Sequence, residues 1–176
     1  MFEYTVIIRW RMQKDLIGMG TTYNYEYRAA HADEWQDAMG LAWRVFLKFV
    51  APGYCEQGVN SFRDFVTDNT LYRMFMTGSY RLYGAFDAGR LIGMITLRGE
   101  QHISLLFVDE KYQRRGVGAA LIDIAGQFAC GKPGEGRLTV NAAPEAVGFY
   151  RRVGFLDMDT EQLADGIRYV PMQFFL

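Results

Sequence analysis

Cysteine is scarce in this chain, and the scarcity rules out whole classes of protein. Its 176 residues hold two cysteines, Cys55 and Cys130, far apart and with no CxxC spacing or histidine-rich neighbourhood. Neither a disulfide framework nor a cysteine-based metal site can be read from that pattern, and reduced thiols of a cytoplasmic protein are expected. Excess charge is missing too. Lysine plus arginine number 19 and aspartate plus glutamate 20, for a net charge of -1. Such a balance supplies no large electrostatic drive toward nucleic acid or an anionic membrane, although it leaves room for a local basic pocket. A long apolar run is also lacking. Thr5-Val-Ile-Ile8 is interrupted by Arg9, Arg11, Lys14 and Asp15, too soon for a signal-peptide core or a membrane span. No repeat, low-complexity segment, Ser-His-Asp set or metal-ligand constellation stands out, and no metal is expected.

What is present is apolar and aromatic. Half of the residues are hydrophobic and 15% aromatic, enough for one domain that buries about two thirds of its unfolded surface. Residues 1–22 stand apart, without clear helical period. An added strand, a disordered leader and a misassigned start codon all fit them, and the domain proper is expected over 23–176. Asn24 to Ala29 alternates as a strand, with Tyr25 and Tyr27 on one face. From a cap at His31 or Asp33, Trp35, Ala38, Met39, Ala42, Trp43, Phe46, Phe49 and Val50 recur at helical steps. Ala51-Pro-Gly-Tyr54 breaks that helix. Ser61 is expected to start a second short helix and Thr70 a third. Tyr80 to Phe86 and Arg90 to Leu97, joined through Asp87-Ala-Gly89, read as a hairpin. His102 to Val108 follows as an apolar strand. A helix to about Ala129, a loop over Gly131 to Gly136, a strand Arg137 to Val140, a helix Pro144 to Val153, a return strand from Gly154-Phe155 and a last strand Arg168 to Leu176 complete the order.

The most telling stretch is Gln113-Arg114-Arg115-Gly116-Val117-Gly118-Ala119-Ala120-Leu121. It follows an apolar strand and opens an amphipathic helix whose stripe is Val117, Ala120, Leu121, Ile124, Ala125 and Phe128. Glycines let backbone approach a bulky anion, and a helix start offers unpaired N–H groups and the positive end of its dipole. A phosphate ligand is the reading. A dinucleotide fingerprint would need glycine or alanine where Leu121 stands, and a P-loop would need Gly-Lys-Ser/Thr. Neither is there.

Phe107-Val108-Asp109 followed by Gln113-x-x-Gly116-x-Gly118-Ala119 resembles motif A of the GCN5-related N-acetyltransferase (GNAT) superfamily. Val140-Asn141-Ala142-Ala143-Pro144 and Phe149-Tyr150-Arg151-Arg152-Val153-Gly154-Phe155 resemble its motif B. The two occur in the proper order, separated by one helix and one strand, and the resemblance covers about residues 24–176. It implies an α/β (α+β) fold: a mixed, mostly antiparallel sheet with flanking helices, opened by a splayed parallel strand pair. It further implies an acyltransferase that moves an acetyl group from acetyl-CoA directly to an amine. On the matching positions, the backbone of Phe107 and Val108 would pair with the pantetheine arm. Gln113, Arg114, Arg115, Gly116, Val117, Gly118, Ala119 and Ala120 would surround the pyrophosphate. Asn141, Phe149 and Tyr150 would complete the cofactor contacts.

Tyr150 is the expected acid, since acyl transfer expels a thiolate that a phenol in reach can protonate. Each residue also has a structural reading: solvated side chains for Arg114 and Arg115, a helix cap for Asn141, core packing for Tyr150, and packing for Phe155. Glu100, His102 and Glu56 are the candidates for a base or charge sensor, with structural or solvated roles beside them. A groove between the Val50 to Asn60 loop and the Asp157 to Ile167 segment, with Phe49, Tyr54 and Phe62, would receive the amine, a small molecule or a peptide. Nucleic acid and membrane are not expected as partners, and the superfamily allows a homodimer. A non-catalytic acyl-CoA-binding module or sensor is the rival reading.

Overall fold

The computed structural model describes residues 24–99, 101–129 and 136–176. The leader over 1–22, Glu100, Cys130 and the loop from Gly131 as far as residue 135 lie outside them.

The first strand, β1 (Glu26–Ala29), leads into a helical start tied down by charge. Arg28 holds both carboxylate oxygens of Glu34 at 2.6 and 2.8 Å, and Glu34 accepts the His31 N–H at 2.7 Å. A short 3-10 turn over Ala32–Glu34 then becomes α1 (Trp35–Phe49), which buries Trp35, Ala38, Met39, Leu41, Ala42 and Phe46. Phe49, expected in that stripe, is 40% exposed. The second helix, α2 (Glu56–Thr67), starts at Glu56, and Ser61 lies inside it. Cys55 has the extended backbone of an N-cap residue and Glu56 brings negative charge to the first turn, where the helix dipole favours it. The third, α3 (Asn69–Met76), is capped by Asp68, whose side chain accepts the Thr70 N–H.

β2 (Tyr80–Asp87) and β3 (Arg90–Arg98) form the expected hairpin. Ala88 and Gly89 both have positive φ, which suits a tight turn whose twist matches the strands. β4 (His102–Val108) and α4 (Val117–Ala129) fall where the sequence places them. Of the α4 stripe, Phe128 is 43% exposed, although its ring stacks on Tyr83 at 4.8 Å. β5 (Arg137–Ala142) is followed by a 3-10 turn over Pro144–Ala146 and a shorter helix than expected, α5 (Val147–Arg152).

The return strand β6 (Leu156–Asp157) is only two residues long. Its partner in β8 (Ile167–Phe175) reaches Pro171, which accepts from the Met158 N–H but has no N–H to give back, so the ladder ends. A further strand, β7 (Gln162–Ala164), went unforeseen; it pairs with β8 through Asp165 and Gly166, both at positive φ.

The sheet has eight strands in the order β1-β2-β3-β4-β5-β8-β6, with β7 on β8. Every pairing among the described residues is antiparallel except β4 with β5. One face carries α4 and α5 over Ile95, Ile103, Leu138, Val140 and Phe155. The other carries α1 and the side chains of α2 and α3 over Leu82, Met94 and Leu105. Thr96, the one fully buried polar side chain among the described residues, is paired with the Tyr80 hydroxyl at 2.8 Å.

α4 lies close on β3 because Gly93 has no side chain. A Cβ there would stand 3.0 Å from Val117 Cγ1 and 3.3 Å from Leu121 Cδ1. Gly93→Val is therefore expected to destabilise by about 1–3 kcal/mol through overpacking. Urea unfolding should show a lower midpoint at unchanged slope.

Candidate active site

The parallel pair is brief. His102 lies opposite Thr139 and Ile103 opposite Val140, and no further residue of β4 has a partner on β5. Beyond them one edge of β4 is open. Asp109 donates its N–H to Ile92 O at 2.8 Å, so alternation along the strand turns the N–H and C=O of Val108 and Leu106 to the other side, toward the gap. The Val108 carbonyl accepts from Gln113 Nε2 at 3.1 Å. By the same alternation the backbone of Phe107 faces β3, opposite Met94, while its ring stands edge-on to Phe62 at 5.7 Å. Leu106 thus joins Val108 on the open edge, a residue the sequence does not single out. Apolar residues fill both faces of β4, so the pattern carries no mark of which N–H groups point where.

The glycine turn continues from this edge. Asp109 caps a 3-10 turn over Glu110–Tyr112 by accepting the Lys111 N–H at 3.1 Å, and Gln113 N–H goes to Glu110 O at 3.3 Å. Arg114 (φ 60) and Gly116 (φ 82) then swing the chain into α4. Ala120 N–H reaches Gly116 O at 3.0 Å, while the N–H groups of Val117, Gly118 and Ala119 belong to the helix start that has no intrahelical acceptor.

The two glycines differ in kind. A Cβ on Gly116 would meet nothing within 4 Å, so its position borders open space, and its conformation favours glycine. A Cβ on Gly118 would press on Phe149 Cζ at 3.1 Å, so this glycine makes room for the motif B helix. Arg115 is held along the wall of the turn: Nη1 is 3.4 Å from the Tyr25 hydroxyl, and the guanidinium lies 5.2 Å from the Tyr112 ring centre. Tyr112 is edge-on to Tyr25 and donates to Asp87 at 2.8 Å. Arg114 is exposed.

Tyr150 comes from α5 on the same face as α4. Its residue is 5% exposed, with the ring edge-on to Phe149 at 5.2 Å and to Phe155 at 5.1 Å. Burial raises its pKa well above that of a free phenol. No hydrogen bond engages this hydroxyl among the described residues, and its oxygen is not fully enclosed. Asn141 is the first residue of β5 past the last parallel pair and is exposed. It is not a helix cap, because Ala143 occupies that position. Phe155 packs as expected, 2% exposed and stacked on Phe174 at 5.4 Å.

The remaining candidates separate. His102 bonds Thr139 Oγ1 at 2.9 Å across the closed end of the strand pair, and burial, with Arg98 second, lowers its pKa. That end is about 20 Å from Val108 at the usual rise per strand residue. Glu56 is exposed at the start of α2. Tyr54 donates to Arg168 O at 2.6 Å, and Ser61 Oγ donates to Asp165 O at 2.9 Å. The two segments expected to border a groove therefore touch. Glu145, just past β5 and not noticed in the sequence, reaches the α1–α2 connection: its Oε1 lies 2.7 Å from where a Cβ on Gly53 would stand.

The description "Acetyltransferase (GNAT) domain" belongs to a family model that matches residues 50–176. The chain belongs to the GNAT acetyltransferase family. Among solved structures, a GCN5-related N-acetyltransferase from Rhodopseudomonas palustris is similar at 21% identity and TM-score 0.77, over 90% of this chain and 100% of that one. PaiA N-acetyltransferase from Thermoplasma acidophilum, in complex with coenzyme A, is similar at 19% identity and TM-score 0.67, over 88% and 100%. A spermidine N-acetyltransferase SpeG chimera from Vibrio cholerae and hSSAT is similar at 18% identity and TM-score 0.58, over 86% and 95%. At such identities the likeness is one of fold. No curated protein matches the sequence. The mixed sheet with its splayed parallel pair is the GNAT fold, as the motifs imply, and no described helix is long and apolar enough to cross a membrane.

Three phenols set a pH dependence. Tyr27 is pushed up to about 12 by burial and then by Tyr25, Tyr54 to about 12 by burial and then by Glu145, and Tyr150 is raised by burial. In the unfolded chain each would ionise near pH 10. The fold keeps them neutral, so their contribution is whole below about pH 10 and is lost as pH rises toward about 12. Urea unfolding at a series of pH values should show stability falling above about pH 10; a rise there would contradict the assignment.

Proposed function

We propose that this chain transfers an acetyl group from acetyl-CoA directly to the nitrogen of an amine, with Tyr150 as the proton donor. The observation that carries the reading is the junction of an open β4 edge with the Gly116 turn at the start of α4. The residues present suit the donor. Open space stands where a Gly116 side chain would be, which leaves room for a pyrophosphate against the N–H groups of Gly116, Val117, Gly118 and Ala119. Arg115 on the Tyr112 wall and Arg114 at the surface add positive charge. Val108 and Leu106 offer an edge to a strand-like pantetheine arm, in the manner of an added strand, and Asn141 follows the last parallel pair on β5.

Acetyl-CoA supplies the thioester: the amine nitrogen bonds the carbonyl carbon as the C–S bond breaks. The chain's part is positional and electrostatic. A main-chain N–H on the open edge suits the developing charge on the carbonyl oxygen. Tyr150, kept protonated by its burial, hands its proton to the departing sulfur. The nitrogen must arrive neutral; the proton it sheds on forming the amide leaves to water, and the Tyr150 phenolate takes one back from water, so the phenol is restored.

Thiol release with a panel of amines tests the proposal. Tyr150→Phe is expected to lower kcat by about 10²-fold or more, with acetyl-CoA affinity held within about threefold, because the ring and its packing remain. Gly116→Val, which forces a β-branched residue to positive φ and fills the cradle, is expected to weaken acetyl-CoA binding about tenfold or more. Tight acetyl-CoA binding without release on any amine would establish the rival binding module. Unchanged turnover in Tyr150→Phe would remove the phenol from the chemistry.

A further inference from the structure

The reading of an amine acceptor leaves open how the amine arrives, and α2 bears on that. The helix crosses the mouth of the splayed strands. At one point Phe62 stands against Phe107, at the end of β4. One turn earlier Gly58 meets the turn between β7 and β8. That turn rises past the end of β5, because β8 pairs with β5 only from Val170, opposite Ala142, and so leaves Ile167 to Tyr169 beyond. α2 is thereby seated on both sides of the gap.

The seat on the β8 side is backbone against backbone. A Cβ on Gly58 would lie 2.3 Å from Gly166 O, and a Cβ on Gly166 would lie 2.5 Å from Gly58 N. Tyr54 to Arg168 O and Ser61 to Asp165 O flank this contact. Arg168 is itself held by both oxygens of Glu161, at 2.7 and 3.1 Å, so the hairpin stands as a braced unit. Glu145, just past β5, meets the α1–α2 connection at Gly53. Nothing the width of an extended polypeptide, which needs roughly 5 Å for its backbone alone, passes between two backbones in such contact.

We infer that α2 and the β7–β8 hairpin form a fixed roof over the acceptor side, and that the acceptor is a small free-standing amine entering end-on, not a lysine within a polypeptide. The inference rests on the acetyl-transfer reading. The contact of Gly58 on Gly166, flanked by Tyr54 and Ser61, selects that substrate class.

The test compares kcat/KM for a panel of small primary amines with that for a lysine in the middle of a peptide blocked at both ends, and for a peptide with a free N-terminus. The best small amine is expected to exceed both peptides by about 100-fold or more, beyond what one poorly fitted contact accounts for. The double variant Tyr54→Phe, Ser61→Ala removes both flanking hydrogen bonds without added bulk. It should raise KM for the small amine about fivefold or more and narrow its lead over the blocked peptide, while the acetyl-CoA dissociation constant stays within about twofold. Tyr54→Phe alone serves where the double variant loses its fold by circular dichroism. Either peptide matching the small amines in the parent chain would overturn the roof and leave the transfer reading standing. Unaltered KM and unaltered discrimination in the variants would overturn it as well. Acetyl-CoA binding with no release on any acceptor would instead overturn the transfer reading, and the inference with it.

Discussion

Two residues of parallel pairing, His102 with Thr139 and Ile103 with Val140, join β4 to β5, and from there the strands part. The sheet is consequently two plates, β1 to β4 on one side and β5, β8 and β6 on the other. A backbone N–H or C=O left buried without a partner costs about 1–3 kcal/mol, so an opening of this kind inside a sheet persists only where water or a ligand can reach it. Gln113 covers one group, the Val108 carbonyl. The rest of that edge is what an extended amide chain would complete, and the glycine turn lies directly at its end. The proposed donor site follows from this single break in pairing.

A break so placed must be held open without letting the plates drift apart. α4 does this from one face by packing on β3, β4 and β5 together, and Gly93 lets it settle closely on β3. The N-terminus of the same helix forms the proposed anion cradle, so packing that fixes α4 also fixes where its N–H groups point. Gly118 extends the coupling to α5, because the missing side chain admits Phe149 and thereby seats the turn that carries Tyr150. α2 does the corresponding work on the other face, from Phe107 to Gly166. The opening is clamped between two helices of different purpose.

This division explains what the sequence revealed. The strand–turn–helix around Gly116 is encoded locally: an apolar run, residues fit for positive φ, then a helical stripe. Local signals suffice for local geometry, and β4, α4 and the hairpin of β2 with β3 lie close to their expected bounds. The proposed acceptor side depends on contacts between segments remote in sequence. Gly58 inside a helix reads as a weakness until Gly166 is seen against it. Ser61 reads as a helix start until its hydroxyl is found on Asp165. The Asp165-Gly166 dipeptide is itself a turn signal, yet the three residues of β7 before it are too few to show a period. The backbone direction that sets Leu106 and not Phe107 on the open edge depends on register with β3, which no side-chain pattern records when both faces are apolar.

Tyr150 stands between the two halves and takes its properties from the packing of one of them. Phe149 and Phe155 hold its ring edge-on, and burial raises its pKa. A phenol so placed stays protonated across the ordinary pH range, the form a proton donor must start from. Its hydroxyl has no hydrogen-bond partner among the described residues, so no internal bond must break before that proton moves. The core therefore does more than bury apolar surface at this point. By excluding water from the ring, it fixes the protonation state that the proposed chemistry requires.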